Sequence, residues 1–189
     1  MIKKLLTLAV ILLSAQITFA QQQEEEYVKP GQVIEKNKAP GMKIRLISTA
    51  GKVKTYSVVL FRGDDILSGL SEFAEKYNVK YAHFTGIGAI SSGRLGCYDR
   101  EKEMYHIIPV KGQAETVSFF GTIALFNAKP TVHVHMAVAQ SDGLVRGGHL
   151  FNAIVWPTLE IVITVEPTPL YKKKEMDTGF ALTDPDLTQ

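Results

Sequence analysis

The sequence predicts an α+β domain, with a largely antiparallel, barrel-like β-sheet and one main helix. Three observations carry that prediction. Apolar residues recur at helical spacing in one segment only, Ile66 to Tyr77. Nearly everything after it reads as β-structure, in alternating or continuously apolar stretches. Glycine, proline and Ser/Asp turn signals separate those stretches.

The elements follow in order. Lys43-Ile44-Arg45-Leu46-Ile47 alternates polar and apolar residues, as a half-buried strand does. Tyr56 to Phe61 is a second, more apolar strand. Gly63-Asp64-Asp65 opens the helix, with Asp64 as N-cap. Ile66, Leu67, Leu70, Phe73, Ala74 and Tyr77 form its core face, and Asn78 ends it. Tyr81 to Thr85 runs into Gly86-Ile87-Gly88. That turn lacks the third glycine of a dinucleotide loop and reads as a bulge or tight bend. Arg94 to Tyr98 pairs with Met104 to Ile108 across Asp99 to Glu103. Thr116 to Phe126 is a long apolar strand, bent at Gly121. Thr131 to Ala139 leads through Ser141-Asp142-Gly143 to two further strands, His149 to Trp156 and Leu159 to Val165, divided by Pro157.

The ends of the chain differ from this middle. Met1 to Ala20 carries Lys3 and Lys4, then a short apolar core from Leu5 to Leu13. That is the pattern of a signal peptide cleaved after Ala20, which predicts an exported protein, periplasmic or secreted, with no membrane contact after cleavage. Residues 21–41 are polar and read as a flexible leader, residues 42–170 as the folded domain, and residues 171–189 as a polar C-terminal tail, disordered from Thr178. Lys172-Lys173-Lys174, the only basic run, reads as a solvated strand end. Losing Lys3 and Lys4 takes the formal charge from +2 to 0. A neutral chain argues against nucleic acid as a partner held by bulk electrostatics. The single cysteine, Cys97, has no partner for an intramolecular disulfide and reads as a small buried residue.

Chemistry concentrates in Val132-His133-Val134-His135 and Gly147-Gly148-His149. Residues two apart on a strand project to one face, with Cα atoms about 6.5–7 Å apart. His133 and His135 can therefore reach a common ion. Thirteen residues separate His135 from His149, enough for a turn that returns the chain alongside. Gly147 and Gly148 permit close backbone approach. Three imidazoles with an open fourth position make a divalent-metal site, Zn²⁺ first among the ions that fit. The other reading is a hydrogen-bonded strand face or an oligomer contact. His83 and His106 lack such partners. Arg94, Glu115 and Glu160 are further candidates, Arg94 for an anionic substrate group and the two glutamates for acid–base work. Each also fits an ordinary surface role.

The blocks AHFTGIGAISSGRLGCYD and VHVHMAVAQSDGLVRGGHL, after the helix Leu67 to Tyr77, resemble the plants-and-prokaryotes-conserved (PPC) domain over about Tyr56 to Val165. The resemblance implies an α+β fold, a homotrimer and, in plants, attachment to AT-hook DNA-binding motifs. No Arg-Gly-Arg-Pro core of an AT-hook is present. The fold is also similar to that of acetolactate decarboxylase, which holds zinc through an HxH pair and a histidine preceded by two glycines. His133, His135 and His149 match those positions. Two functions are therefore expected as alternatives. One is a homotrimeric metal protein, with the capacity for chemistry on a small molecule. The other is a non-catalytic oligomerisation or binding module, including the DNA-binding role attached to the family.

Overall fold

The computed structural model describes residues 25–32 and 37–188. The segment expected to be a signal peptide lies outside them. The described elements are β1 (Tyr27–Val28), β2 (Lys43–Ala50), β3 (Val53–Phe61), α1 (Ile66–Lys76), β4 (Tyr81–Asp99), β5 (Met104–Phe126), β6 (Lys129–Ala139), β7 (Val145–Val165), β8 (Tyr171–Lys174) and β9 (Ala181–Asp184). They form a mostly antiparallel sheet with a single short helix among the described residues.

The helix forms where its apolar stripe predicts. Ile66, Leu70, Phe73 and Ala74 are buried and lie against β6 and β7. Its N-cap is Asp65, not Asp64: the Asp65 carboxylate accepts from the Ser68 amide at 2.8 Å. Asp64 is buried and accepts instead from the amides of Gly41 (2.8 Å) and Phe61 (2.9 Å). Asn78 sits past the helix end at a φ of 48°, a conformation asparagine tolerates.

Several expected short strands prove to be parts of longer ones. β4 joins the two stretches 81–85 and 94–98, with register shifts between Thr85 and Ala89 and between Ile90 and Ser92. The Gly86-Ile87-Gly88 turn is thus a bulge in a continuous strand. β5 likewise runs from Met104 to Phe126, and β7 continues through Pro157 after a cis peptide bond. Gly121 is not a bend. Its pairings to Phe84 and Val134 are uninterrupted, and a Cβ there would run into the His133 carbonyl and the Phe84 ring.

The pairings β4–β5, β5–β6, β6–β7 and β7–β4 close on themselves. β2 and β9 remain edges, so the sheet as a whole is not a closed barrel. Two expectations for the chain ends change. Tyr27–Val28, in the stretch read as a flexible leader, pairs with Tyr105 and His106. β8 and β9 form a hairpin within the stretch read as a polar, partly disordered tail. The core joins one face of the sheet to α1 through Val58, Leu60, Phe84, Val134, Met136, Leu159 and Ile161.

Candidate metal centre

β6 alternates strictly at its centre. Val134, Met136 and Val138 are buried toward the core, and His133 and His135 face outward. β7 returns beside β6, with His135 and His149 as direct cross-strand partners. Gly148 makes that return possible: at φ 153° it lies against β4, where a Cβ would strike the Gly96 carbonyl oxygen. The expectation that paired glycines serve a close backbone approach is met here.

The three histidines come together. One ligating nitrogen from each lies within 4.8 Å of the others. Ring centroids are 5.0 Å apart for His133–His135, 5.1 Å for His133–His149 and 5.9 Å for His135–His149. A tetrahedral zinc site with bonds of about 2.0–2.1 Å has nitrogens about 3.3 Å apart, a closure that side-chain rotation supplies. His149 Nδ1 is buried and has no hydrogen-bond partner. An all-imidazole donor set with one orphaned buried nitrogen fits a divalent metal.

The electrostatics favour neutral, ligating imidazoles. Burial first, then the Lys172 charge and His135, push the His133 pKa down to about 4. His149 is likewise pushed down to about 4, by burial first, then by His133, His135 and Lys172. His133 is nonetheless exposed by surface area, with the rings of His135 and His149 packed close to it. Tyr105 stacks on His149 at 5.2 Å, and Phe151 packs edge-on to both rings.

The remaining expected residues lie elsewhere. Arg94 contacts Glu26, which ties β4 to the segment before β1. Glu115 and Glu160 are exposed and are not among the groups gathered around the three nitrogens. His83 faces Glu166 at 3.5 Å, and His106 packs on Tyr27. Cys97 is exposed rather than buried. Lys172 reverses another expectation: it is only 7% exposed, although Lys173 and Lys174 are solvated. A basic triplet suggests a wet strand end, and only the hairpin's tertiary position reveals that its first member turns inward.

The Plants and Prokaryotes Conserved (PCC) domain matches residues 47–167. The chain belongs to this family. Among solved structures, this PCC chain is similar to a plant- and prokaryote-conserved (PPC) protein of Pyrococcus horikoshii, with 28% identity and a TM-score of 0.65 over 75% of this chain and 100% of that one. It is similar to a metal-containing protein of Archaeoglobus fulgidus, with 27% identity and a TM-score of 0.63 over 75% and 96% of the two chains. A candidate DNA-binding protein of Ralstonia eutropha is 28% identical, with a TM-score of 0.64 over 68% and 90%. No curated protein gives a significant match.

Proposed function

We propose that this PCC chain is an exported homotrimer that binds one divalent metal ion, Zn²⁺ by preference, through His133, His135 and His149. One observation carries the reading: three imidazole nitrogens within 4.8 Å, one of the rings holding a buried nitrogen without a partner. The metal-containing relative from Archaeoglobus fulgidus supports it. Zinc suits an all-nitrogen set with an open position. A bound ion there would supply a Lewis acid for a small oxygen-rich molecule. The expected likeness to acetolactate decarboxylase belongs to the same reading. The chain's own part is to hold three neutral imidazoles, wall the site with Tyr105 and Phe151, and leave one side open.

Association between copies, of which the trimer is the proposed form, is supported by an outward face that solvent alone does not suit. Cross-strand partners His135, Phe120, Thr85 and Val162 form one row across β6, β5, β4 and β7. Phe120 is 56% exposed in the single chain, and Ile87 and Val162 are exposed nearby. Export rests on the Met1–Ala20 pattern, and N-terminal sequencing of the mature protein beginning at Gln21 would test it.

Elemental analysis of the purified protein, beside a His133→Ala/His135→Ala double variant, tests the metal. About one ion per chain, lost in the variant, is expected. No ion after loading with zinc and manganese would overturn the reading.

A second reading is a nucleic-acid-binding module. The candidate DNA-binding relative weighs against dismissing nucleic acid on net charge alone. Lys43, Arg45, Lys52 and Lys54 are exposed along the β2–β3 hairpin. A DNA probe that shifts at low salt and is released as salt rises would support this reading. Absence of a shift at low salt would remove it.

A further inference from the structure

We infer that Lys172 makes the three-histidine centre a receptor for small organic carboxylates; the metal half of this inference rests on the reading above. Lys172 stands on β8, beyond the residues 47–167 that match the family domain. The β8–β9 hairpin therefore lies outside the matched domain. Its position is set by packing. Phe180, at the approach to β9, sits against Tyr98 (4.7 Å) and Tyr105 (5.8 Å), and Tyr105 stacks on His149. The next residue, Ala181, accepts from Lys172 Nζ at 3.4 Å. The lysine is thus held beside the Phe180–Tyr105 contact, and Tyr105 in turn stacks on His149.

A buried ammonium normally has an anionic partner, because a charge taken out of water is otherwise left uncompensated. Among the described residues no carboxylate lies within ion-pair distance of Lys172, although Lys173 pairs with Asp184 at 3.3 Å. Among the described residues this cation makes one long bond, to the Ala181 carbonyl. The three imidazoles add no negative charge, and a divalent ion held by them would add more positive charge. An anion balances such a site. Tyr105, Phe151 and Phe180 form an aromatic wall beside it, which suits the apolar body of an organic acid better than a bare inorganic anion. A carboxylate also has two oxygens, one for the open metal position and one for the ammonium.

The test uses the full chain, its Lys172→Met variant, which keeps the length and loses the charge, and Lys172→Arg. Elemental analysis of each comes first, after loading with cobalt(II). Butyrate is then titrated by calorimetry and by the visible cobalt spectrum. The expected result is metal content unchanged in all three, butyrate binding weakened about tenfold or more in Lys172→Met, and binding within about threefold of the parent in Lys172→Arg. Equal butyrate affinity in Lys172→Met and the parent, or no binding by the parent, overturns the inference. If no protein takes up metal, the metal reading fails separately. Calorimetry on the metal-free chains then decides the role of Lys172: Lys172-dependent binding supports it, and equal or absent binding overturns it.

Discussion

The two faces of the same strands are built on opposite rules. The inner face of β6 presents Val134, Met136 and Val138 to α1 and the core, all buried. Its outer face presents His133 and His135, and the row continues through Phe120, Thr85 and Val162. The inner face is redundant: many apolar contacts share the load, and no single one defines it. The outer face is specific. Its imidazoles stabilise little by packing, and exposed Phe120 and Val162 add apolar surface that water does not favour. Stability and chemistry are therefore divided by the pleat, one residue apart along the chain.

Substitutions can break that division or sharpen it, ranked here by their effect on metal-free stability. Phe73→Ala empties a fully buried position that packs edge-on against Tyr56 at 5.3 Å. It should cost about 3–5 kcal/mol in denaturant unfolding. The folded fraction should still bind metal at the parent's stoichiometry; loss of metal from folded chains would break the separation of the faces. Gly148→Ala stands between the two faces, since it forces β7 away from Gly96. A cost of about 1–3 kcal/mol is expected, together with weaker metal binding, because His149 moves with the strand.

Acidification reaches the outer face through His133 and His149. His133 and His149 are held near pKa 4 in the folded chain and return to about 6.5 on unfolding. The unfolded chain then binds more protons between these values. Their contribution to metal-free stability is full above about pH 6.5 and is lost as pH falls toward 4. Urea midpoints across that window should show the slope, and a His133→Ala/His149→Ala variant should flatten it. The smallest effects come last. His135→Ala should leave metal-free stability within about 0.5 kcal/mol of the parent, yet lower metal affinity more than about a hundredfold. Glu115→Gln and Glu160→Gln should alter neither, and a drop in metal content in either would bring that carboxylate into the site.

Local pattern carried the inner face and the three-histidine cluster. The stripe from Ile66 to Ala74 names the helix, and His133-Val134-His135 names both the strand and the side on which the imidazoles lie. Gly148 was readable as a close approach, though not which backbone it approaches. What stayed hidden depends on distant partners. Arg94 meets Glu26, sixty-eight positions away, so its role could not be read from β4. The strand ends at 85 and 94 read as boundaries because the glycine bulge breaks alternation and the register with β5, while pairing with β7 carries on through residues 86–88. Tyr27–Val28 carries too little apolar surface to announce a strand, and pairing with β5 creates one. Lys172 resembles its two solvated neighbours in sequence and differs only in what the hairpin covers.

β7 pairs with β6 at its start, with β4 along most of its length and with β3 at its end. His149 therefore enters the site on a strand whose partners were all made earlier in the chain. A polypeptide emerging from synthesis, or threaded unfolded through a membrane, holds two of the three imidazoles and no third. Under the metal and export readings together, the ion is chosen wherever β7 finally closes, and the metal supply of that compartment, not of the one where translation occurs, would decide what the mature protein carries.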